Sequence, residues 1–140
     1  MDKSAWWWTR LLPLLLWIGI ILWVASRPST FFLEDKKIIF EMPRRLLQYP
    51  YHISAFFILN MLFLRCFLSG SDGEVTRKFE ILSLLGCLLV SICSEVIQLF
   101  VPTRTPSVSD LALDLLGAVL GIIAMRRRCS PTTCQPPRLS

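Results

Sequence analysis

Four long apolar stretches separated by shorter polar segments dominate the amino-acid sequence. They cover about residues 7–25, 49–68, 81–101 and 109–125. A helix needs roughly 20 mostly apolar residues to cross a bilayer, and these stretches lack the apolar–polar alternation of a membrane barrel. The pattern therefore predicts an all-α membrane protein with four transmembrane helices. Because only a short loop separates the third and fourth helices, we expect them to form an antiparallel hairpin.

The composition agrees with this prediction. Hydrophobic residues make up 54% of the 140 residues and charged residues 18%, whereas soluble domains contain about 45–50% and about 25%. We predict a single transmembrane domain over residues 1–140, in which residues 126–140 form a disordered, Pro-containing tail. The five cysteines show no metal-ligand spacing, and neither a metal nor a cofactor is predicted.

The formal net charge of +5 does not indicate a nucleic-acid partner. The Lys and Arg residues flank the apolar stretches, where they are typical of membrane anchors. With the N-terminus inside the cell, the inner segments carry more Lys and Arg residues than the outer segments do. The distribution therefore predicts that the N-terminus and the C-terminus are both cytoplasmic.

Polar residues inside the predicted helices share helical faces. One face of the third helix carries, at positions i, i+4 and i+7, Ser91, Glu95 and Gln98. One face of the fourth helix carries Asp110, Asp114, Gly117 and Gly121. The two glycines form a Gly-x-x-x-Gly pair, which allows a neighbouring helix to approach closely. We expect helix packing at this pair, directly beside the two aspartates.

These polar residues are predicted to converge at one membrane face, where the second helix begins, the third ends and the fourth begins. The candidate functional residues at this face are His52, Glu95, Gln98, Arg104, Asp110 and Asp114. Three carboxylates there meet one arginine and one histidine. Charge inside a bilayer is costly, so the excess negative charge needs a proton, a cation, a cationic ligand group or water. With both termini inside, this face is the outer leaflet.

Simpler roles for some of these residues remain open at this point. Arg104 can form an ion pair with Glu95 or Asp114 that only locks the hairpin. Asp110 can serve as a helix cap, and His52 can be an interfacial residue without a partner. Ser107 or Ser109 is a further candidate for the N-cap of the fourth helix.

The segment from residue 94 to 121 resembles the signature of the VanZ-like family. That signature has Glu-x-x-Gln, a Pro and an Arg in the following turn, an Asp at the start of the last helix, and then Asn-x-x-Gly-x-x-x-Gly. Asp114 stands where the family usually has Asn. The resemblance covers about residues 49–125, including His52, and implies a small multi-pass protein of the bacterial inner (cytoplasmic) membrane. It also implies a link to the cell envelope, since the family's namesake is associated with low-level resistance to the glycopeptide antibiotic teicoplanin.

Three functions fit these features. The first is a binding or accessory protein that recognises an envelope lipid or a glycopeptide at the outer leaflet. The second is a membrane-embedded enzyme acting on a lipid-linked substrate, with His52, Glu95 and Asp110 as acid–base groups or cation ligands. The third is a small ion-coupled transporter, which would have to be an oligomer. The polar residues cluster in one leaflet, with only Arg65 and scattered Ser residues towards the other, and this asymmetry favours a one-sided pocket surrounded by membrane lipids.

Overall fold

The computed structural model describes residues 7–27, 44–67, 76–101 and 107–128. A π-helical turn, Trp7–Leu11, continues into α1 (Leu12–Ala25), which is followed by α2 (Arg44–Phe67), α3 (Arg77–Leu99) and α4 (Val108–Arg128). All four spans are long and apolar enough to cross a membrane, and the described part of the chain contains no strand. The predicted all-α architecture with four transmembrane helices is therefore confirmed.

Three helix ends differ from the prediction, and one of them is the start of α3, which lies at Arg77 and not near residue 81. α2 begins at Arg44 and not near residue 49, so that Pro50 lies inside the helix, in its second turn. Proline removes one helical hydrogen bond, and this loss is tolerated near a helix end, where water can bond the freed carbonyl. α4 extends through Arg128, so Arg126–Arg128 belong to its last turn and not to a disordered tail. Basic side chains at that position interact favourably with the helix dipole.

α2 and α4 form the most extensive helix–helix contact of the bundle. Gly117 and Gly121 of α4 are both buried and face α2. A Cβ atom built on Gly117 would lie 3.1 Å from the Cα and the carbonyl carbon of Ile53, and one on Gly121 would lie 3.1 Å from the carbonyl oxygen of Phe57. Glycine at these positions therefore sets how closely the two backbones approach.

An apolar core links α2 and α4 to the other helices. Its buried members are Leu14, Ile21, Ala55, Phe56, Leu59, Cys87, Val90 and Ala118. Hydrogen bonds from α1 and its π turn add to this packing. The indole Nε1 of Trp17 donates to the carbonyl of Ala55 at 3.0 Å, and Arg10 Nη1 donates to the carbonyl of Arg65 at 2.9 Å.

The contacts between α3 and α4 are spread along both helices. The Ser107 backbone N–H donates to Glu95 Oε2 at 3.1 Å, near the end of α3 and the start of α4. We call this end of the bundle, where α2 also begins, the site end. At the far end, Arg126 Nε and Nη2 donate to the carboxylate of Glu80 at 2.5 and 2.6 Å. The connecting residues 102–106 lie outside the described part, so the hairpin itself stays a prediction.

Candidate functional site

Three helices each contribute one polar side chain to a buried centre at the site end. Asp114 of α4 is 1% exposed, and its Oδ1 lies 2.8 Å from Nδ1 of His52 on α2. The hydroxyl of Ser91 on α3 donates a hydrogen bond to the other oxygen, Oδ2. Both carboxylate oxygens are therefore engaged. His52 reaches Asp114 because Gly117, three residues further along α4, lets α2 lie close by.

The second nitrogen of the imidazole faces another carboxylate. His52 Nε2 lies 3.8 Å from Asp110 Oδ2, which is too long for a direct hydrogen bond. Asp110 is 4% exposed and lies in the first turn of α4, where the helix dipole favours negative charge. The imidazole therefore lies between two buried aspartates and is hydrogen-bonded to only one of them.

Ser107 is the N-cap of α4. Its hydroxyl accepts a hydrogen bond from the Ser109 N–H at 3.3 Å, and its carbonyl accepts one from the Asp110 N–H at 2.9 Å. Of the two serines considered from the sequence, Ser107 has this role. Asp110 lies inside the first turn, so its carboxylate is placed towards His52 and does not act as the N-cap.

Glu95 completes the arrangement from α3. Its Oε2 accepts the Ser107 N–H, whereas its buried Oε1 has no hydrogen-bond partner among the described residues. Gln98, one turn further along α3, is 3% exposed at the same end. Arg104 lies outside the described residues, so its predicted ion pair with Glu95 or Asp114 stays a prediction.

The residues brought together at the site end, which we call the polar cluster, are His52, Ser91, Glu95, Asp110 and Asp114. The cluster contains three carboxylates and one imidazole. Arg27, the basic residue described just after α1, stacks on the ring of Trp23, with its guanidinium carbon 4.5 Å from the ring centroid. The carboxylates of the polar cluster can accept hydrogen bonds and can attract positive charge. It can also transfer protons through an imidazole that a carboxylate holds in one orientation.

No group of three or more His, Cys, Asp or Glu residues within the four described segments is arranged to hold a metal ion. The expectation from the sequence that the chain holds no metal stays a prediction.

Sequence reasoning missed several buried polar residues, one inside the polar cluster and three outside it. Ser91 had been placed on the polar face of the third helix but not among the candidate site residues. In the other half of the bundle, Asn60, Glu80 and Ser83 are buried as well. The expectation that only Arg65 and scattered Ser residues lie in that half was therefore wrong for Asn60 and Glu80. The spacing of Ser91 to Glu95, continued backwards along α3, leads to Cys87 and Ser83 and could have revealed Ser83, but not Asn60, which lies on α2.

Comparison with known families supports the resemblance seen in the sequence. A family model described as VanZ/LLP1 matches residues 10–128 of the chain. The matched region includes all five residues of the polar cluster and both glycines at the contact between α2 and α4. No curated protein and no solved structure matches the chain.

Proposed function

Since the chain belongs to the VanZ/LLP1 family and buries three carboxylates at one end of its bundle, we propose that it is a binding protein of the bacterial cell envelope. Its ligand is an amphiphile. The apolar part of the ligand lies in the bilayer, and its polar part donates hydrogen bonds or positive charge to the polar cluster. Envelope lipids and lipophilic glycopeptides such as teicoplanin have both parts.

The proposal rests on the carboxylate of Glu95, which has one oxygen left unsatisfied by the described part of the chain. One of its oxygens accepts a backbone N–H, while the other is buried and unpartnered within the described segments. A buried acceptor without a donor costs about 1–3 kcal/mol, and more when it is charged. Asp110 and Asp114 nearby add to the negative character of the site end. A ligand that brings a donor or a cation to Glu95 would recover this cost.

We therefore expect Glu95→Gln to remove ligand-induced stabilisation. Purified protein in detergent would be unfolded thermally with and without teicoplanin and with a panel of envelope lipids. For a ligand at 100 times its Kd, the wild-type protein should gain about 2.7 kcal/mol. The amide of the variant presents N–H groups where the ligand needs an acceptor, so most of that gain should disappear.

Glu80→Gln is the matched control for this experiment. Glu80 is also a buried carboxylate on α3, but it lies at the far end and is bonded to Arg126. Its variant should lose basal stability and still respond to the ligand. If no lipid or glycopeptide stabilises the wild-type protein, or if both variants respond equally, the polar cluster is not a binding site.

The outer-leaflet location of the polar cluster depends on the orientation proposed from the Lys and Arg distribution. We expect a green fluorescent protein fused after residue 140 to fluoresce, because it would fold in the cytoplasm. Alkaline phosphatase fused at the same position should be inactive, because it needs the oxidising exterior. Active phosphatase would place the polar cluster in the inner leaflet and would exclude an external ligand.

A membrane-embedded enzyme is the second candidate function, and the geometry of His52 favours it. Asp114 fixes the imidazole through Nδ1, which leaves Nε2 directed towards Asp110. An oriented imidazole next to a second carboxylate is suited to general acid–base catalysis on a lipid-linked substrate. Product formation from an envelope lipid that His52→Gln abolishes would favour the enzyme over the binding protein.

A further inference from the structure

The polar and apolar sides of α3 are arranged inversely to those of a helix in a soluble protein. Its outward side carries large apolar residues such as Leu85, Leu89 and Val96. Its inward side is mostly polar, and the buried residues there other than Val90 are Glu80, Ser83, Cys87, Ser91, Ser94 and Gln98. These residues extend from the first turn of α3 to its last, so the polar side follows the whole span.

In the half of the bundle away from the site end, these groups are linked by hydrogen bonds. Asn60 of α2 is fully buried, and its Nδ2 donates to Ser83 Oγ at 3.2 Å and to Cys87 Sγ at 3.7 Å. Ser83 Oγ in turn donates to the carbonyl of Glu80 at 2.9 Å. The carboxylate of Glu80 is bonded to Arg126, whose side chain is 58% exposed. The hydrogen bonds from Asn60 thus end at the backbone carbonyl of Glu80, and the carboxylate of the same residue meets the protein surface at the far end through its bond to Arg126.

In the other half, the connection continues through the polar cluster. Ser91 bonds to Asp114, Asp114 to His52, and His52 faces Asp110 at 3.8 Å. Cys87 and Ser91 are separated by one turn of α3, about 6 Å along its axis. One water molecule bonded to both groups would cover that distance. Polar side chains therefore follow one another from one end of the bundle to the other.

A second, independent feature of the bundle interior is a buried oxygen of Asn60 that lacks a hydrogen-bond donor among the described residues. Its carbonyl oxygen Oδ1 is buried and has no hydrogen-bond partner in the described segments. Buried side-chain polar atoms are usually satisfied, and an exception calls for a ligand, a water or a functional reason. A Cβ atom on Gly121 would lie 3.2 Å from this oxygen, so glycine lets the backbone of α4 pack closely beside Asn60.

Hydrogen bonds that merely hold helices together are the simpler explanation. Asn and Ser often have this role in membrane proteins. That explanation accounts for the bond between Asn60 and Ser83. It does not account for an amide oxygen left without a donor. Close packing accounts for the small Ser and Cys side chains on the inward side of α3, but not for the buried Glu80 and Gln98 at its two ends.

We propose that these buried side chains form a proton route across the membrane, which we call the polar track. At the site end, His52 accepts a proton at Nε2 while it releases one from Nδ1 to Asp114. The Ser91 hydroxyl, which donates to Asp114 Oδ2, then turns away from it, releases its own proton to a water molecule on the side of Cys87 and takes up the proton of the Asp114 carboxyl. Water molecules between Ser91 and Cys87 and beside Asn60 carry the proton onward to Glu80. Each hop breaks one bond to hydrogen and forms another, so only the proton moves.

The polar track goes beyond the proposed binding function, because proton movement needs no ligand. The test uses the full-length protein reconstituted in phosphatidylcholine vesicles with a pH-sensitive dye inside. A potassium gradient with valinomycin drives protons inward. We expect the wild-type protein to raise proton entry several-fold over vesicles without protein. Ser83→Ala and Asn60→Leu should return it to the protein-free rate, because each removes a link of the polar track.

Ser54→Ala is the matched control. The Ser54 hydroxyl lies on α2 but is exposed and bonded to the Tyr51 carbonyl of its own helix, so its loss should leave proton entry unchanged. Ser83→Ala removes a single hydroxyl and tests the proposal even if Asn60→Leu fails to reconstitute. Wild-type vesicles that behave like protein-free vesicles would overturn the proposal. So would wild-type flux that survives Ser83→Ala. Neither result would affect ligand-induced stabilisation, which tests the binding function separately.

Discussion

Gly117→Ala should lower the free energy of unfolding by about 3 kcal/mol or more, the upper part of the range for overpacked interiors. The added Cβ atom would lie 3.1 Å from both the Cα and the carbonyl carbon of Ile53, and closer still to its carbonyl oxygen. These are backbone atoms of α2, which cannot turn aside as a side chain can. The contact between α2 and α4 must therefore open, and this would also separate His52 from Asp114.

Gly19→Ala is the control for this change. Gly19 lies in α1, and no atom would come within 4 Å of a Cβ atom built on it. Alanine favours a helix over glycine by about 0.8–1.0 kcal/mol, so this variant should be as stable as the wild-type protein or more so. Both variants would be measured by thermal unfolding in the same detergent. Equal stability of Gly117→Ala and the wild-type protein would mean that α2 and α4 are further apart than the structure shows.

The fold was predictable because a bilayer restricts the choice of structure. Each span must satisfy its own backbone hydrogen bonds, so the four apolar stretches could only be helices once a barrel was excluded. Helix ends were harder to predict, because they lie where water is available. α2 begins at Arg44, about a turn before the apolar stretch that predicts it, and Arg126–Arg128 continue α4, although residues 126–140 were predicted to be a tail.

The candidate site was predictable as a group of residues but not as a set of contacts. Helical spacing placed Asp110, Asp114, Gly117 and Gly121 on one face, and that face is buried in the bundle. Spacing does not reveal which neighbour a face meets. The pairing of Asp114 with both His52 and Ser91 depends on how α2 and α3 pack against α4, and a single sequence carries little information about this packing.

Asn60 shows a second limit of sequence reasoning. A single Asn in an apolar helix looks the same whether it faces lipid, a partner helix or an internal cavity. Only the packing of α3 and α4 around it shows that the side chain is fully buried and that its carbonyl lacks a donor. Burial and hydrogen bonding therefore indicate the polar track, whereas no recognisable motif does.

The carboxylate of Asp114 is the point at which three helices are joined, and we expect Asp114→Ala to cost about 3–5 kcal/mol, as loss of one partner of a buried charged pair does. His52 Nδ1 and the Ser91 hydroxyl would both lose their partner, and each unsatisfied buried group costs about 1–3 kcal/mol. The shorter side chain would also leave a cavity. Thermal unfolding of the purified variant in detergent measures the loss.

Asp114→Asn separates the hydrogen bonds from the charge. The amide keeps the shape of the carboxylate, and its oxygen and nitrogen can bond Ser91 and His52 if the hydroxyl and the imidazole adjust. The resemblance to the VanZ-like family also places Asn at this position, so we expect this variant to lose much less stability than Asp114→Ala. Ser91→Ala should be milder than Asp114→Ala as well, because Asp114 keeps its bond to His52. If Asp114→Asn were as unstable as Asp114→Ala, the charge and not the geometry of Asp114 would hold the three helices together.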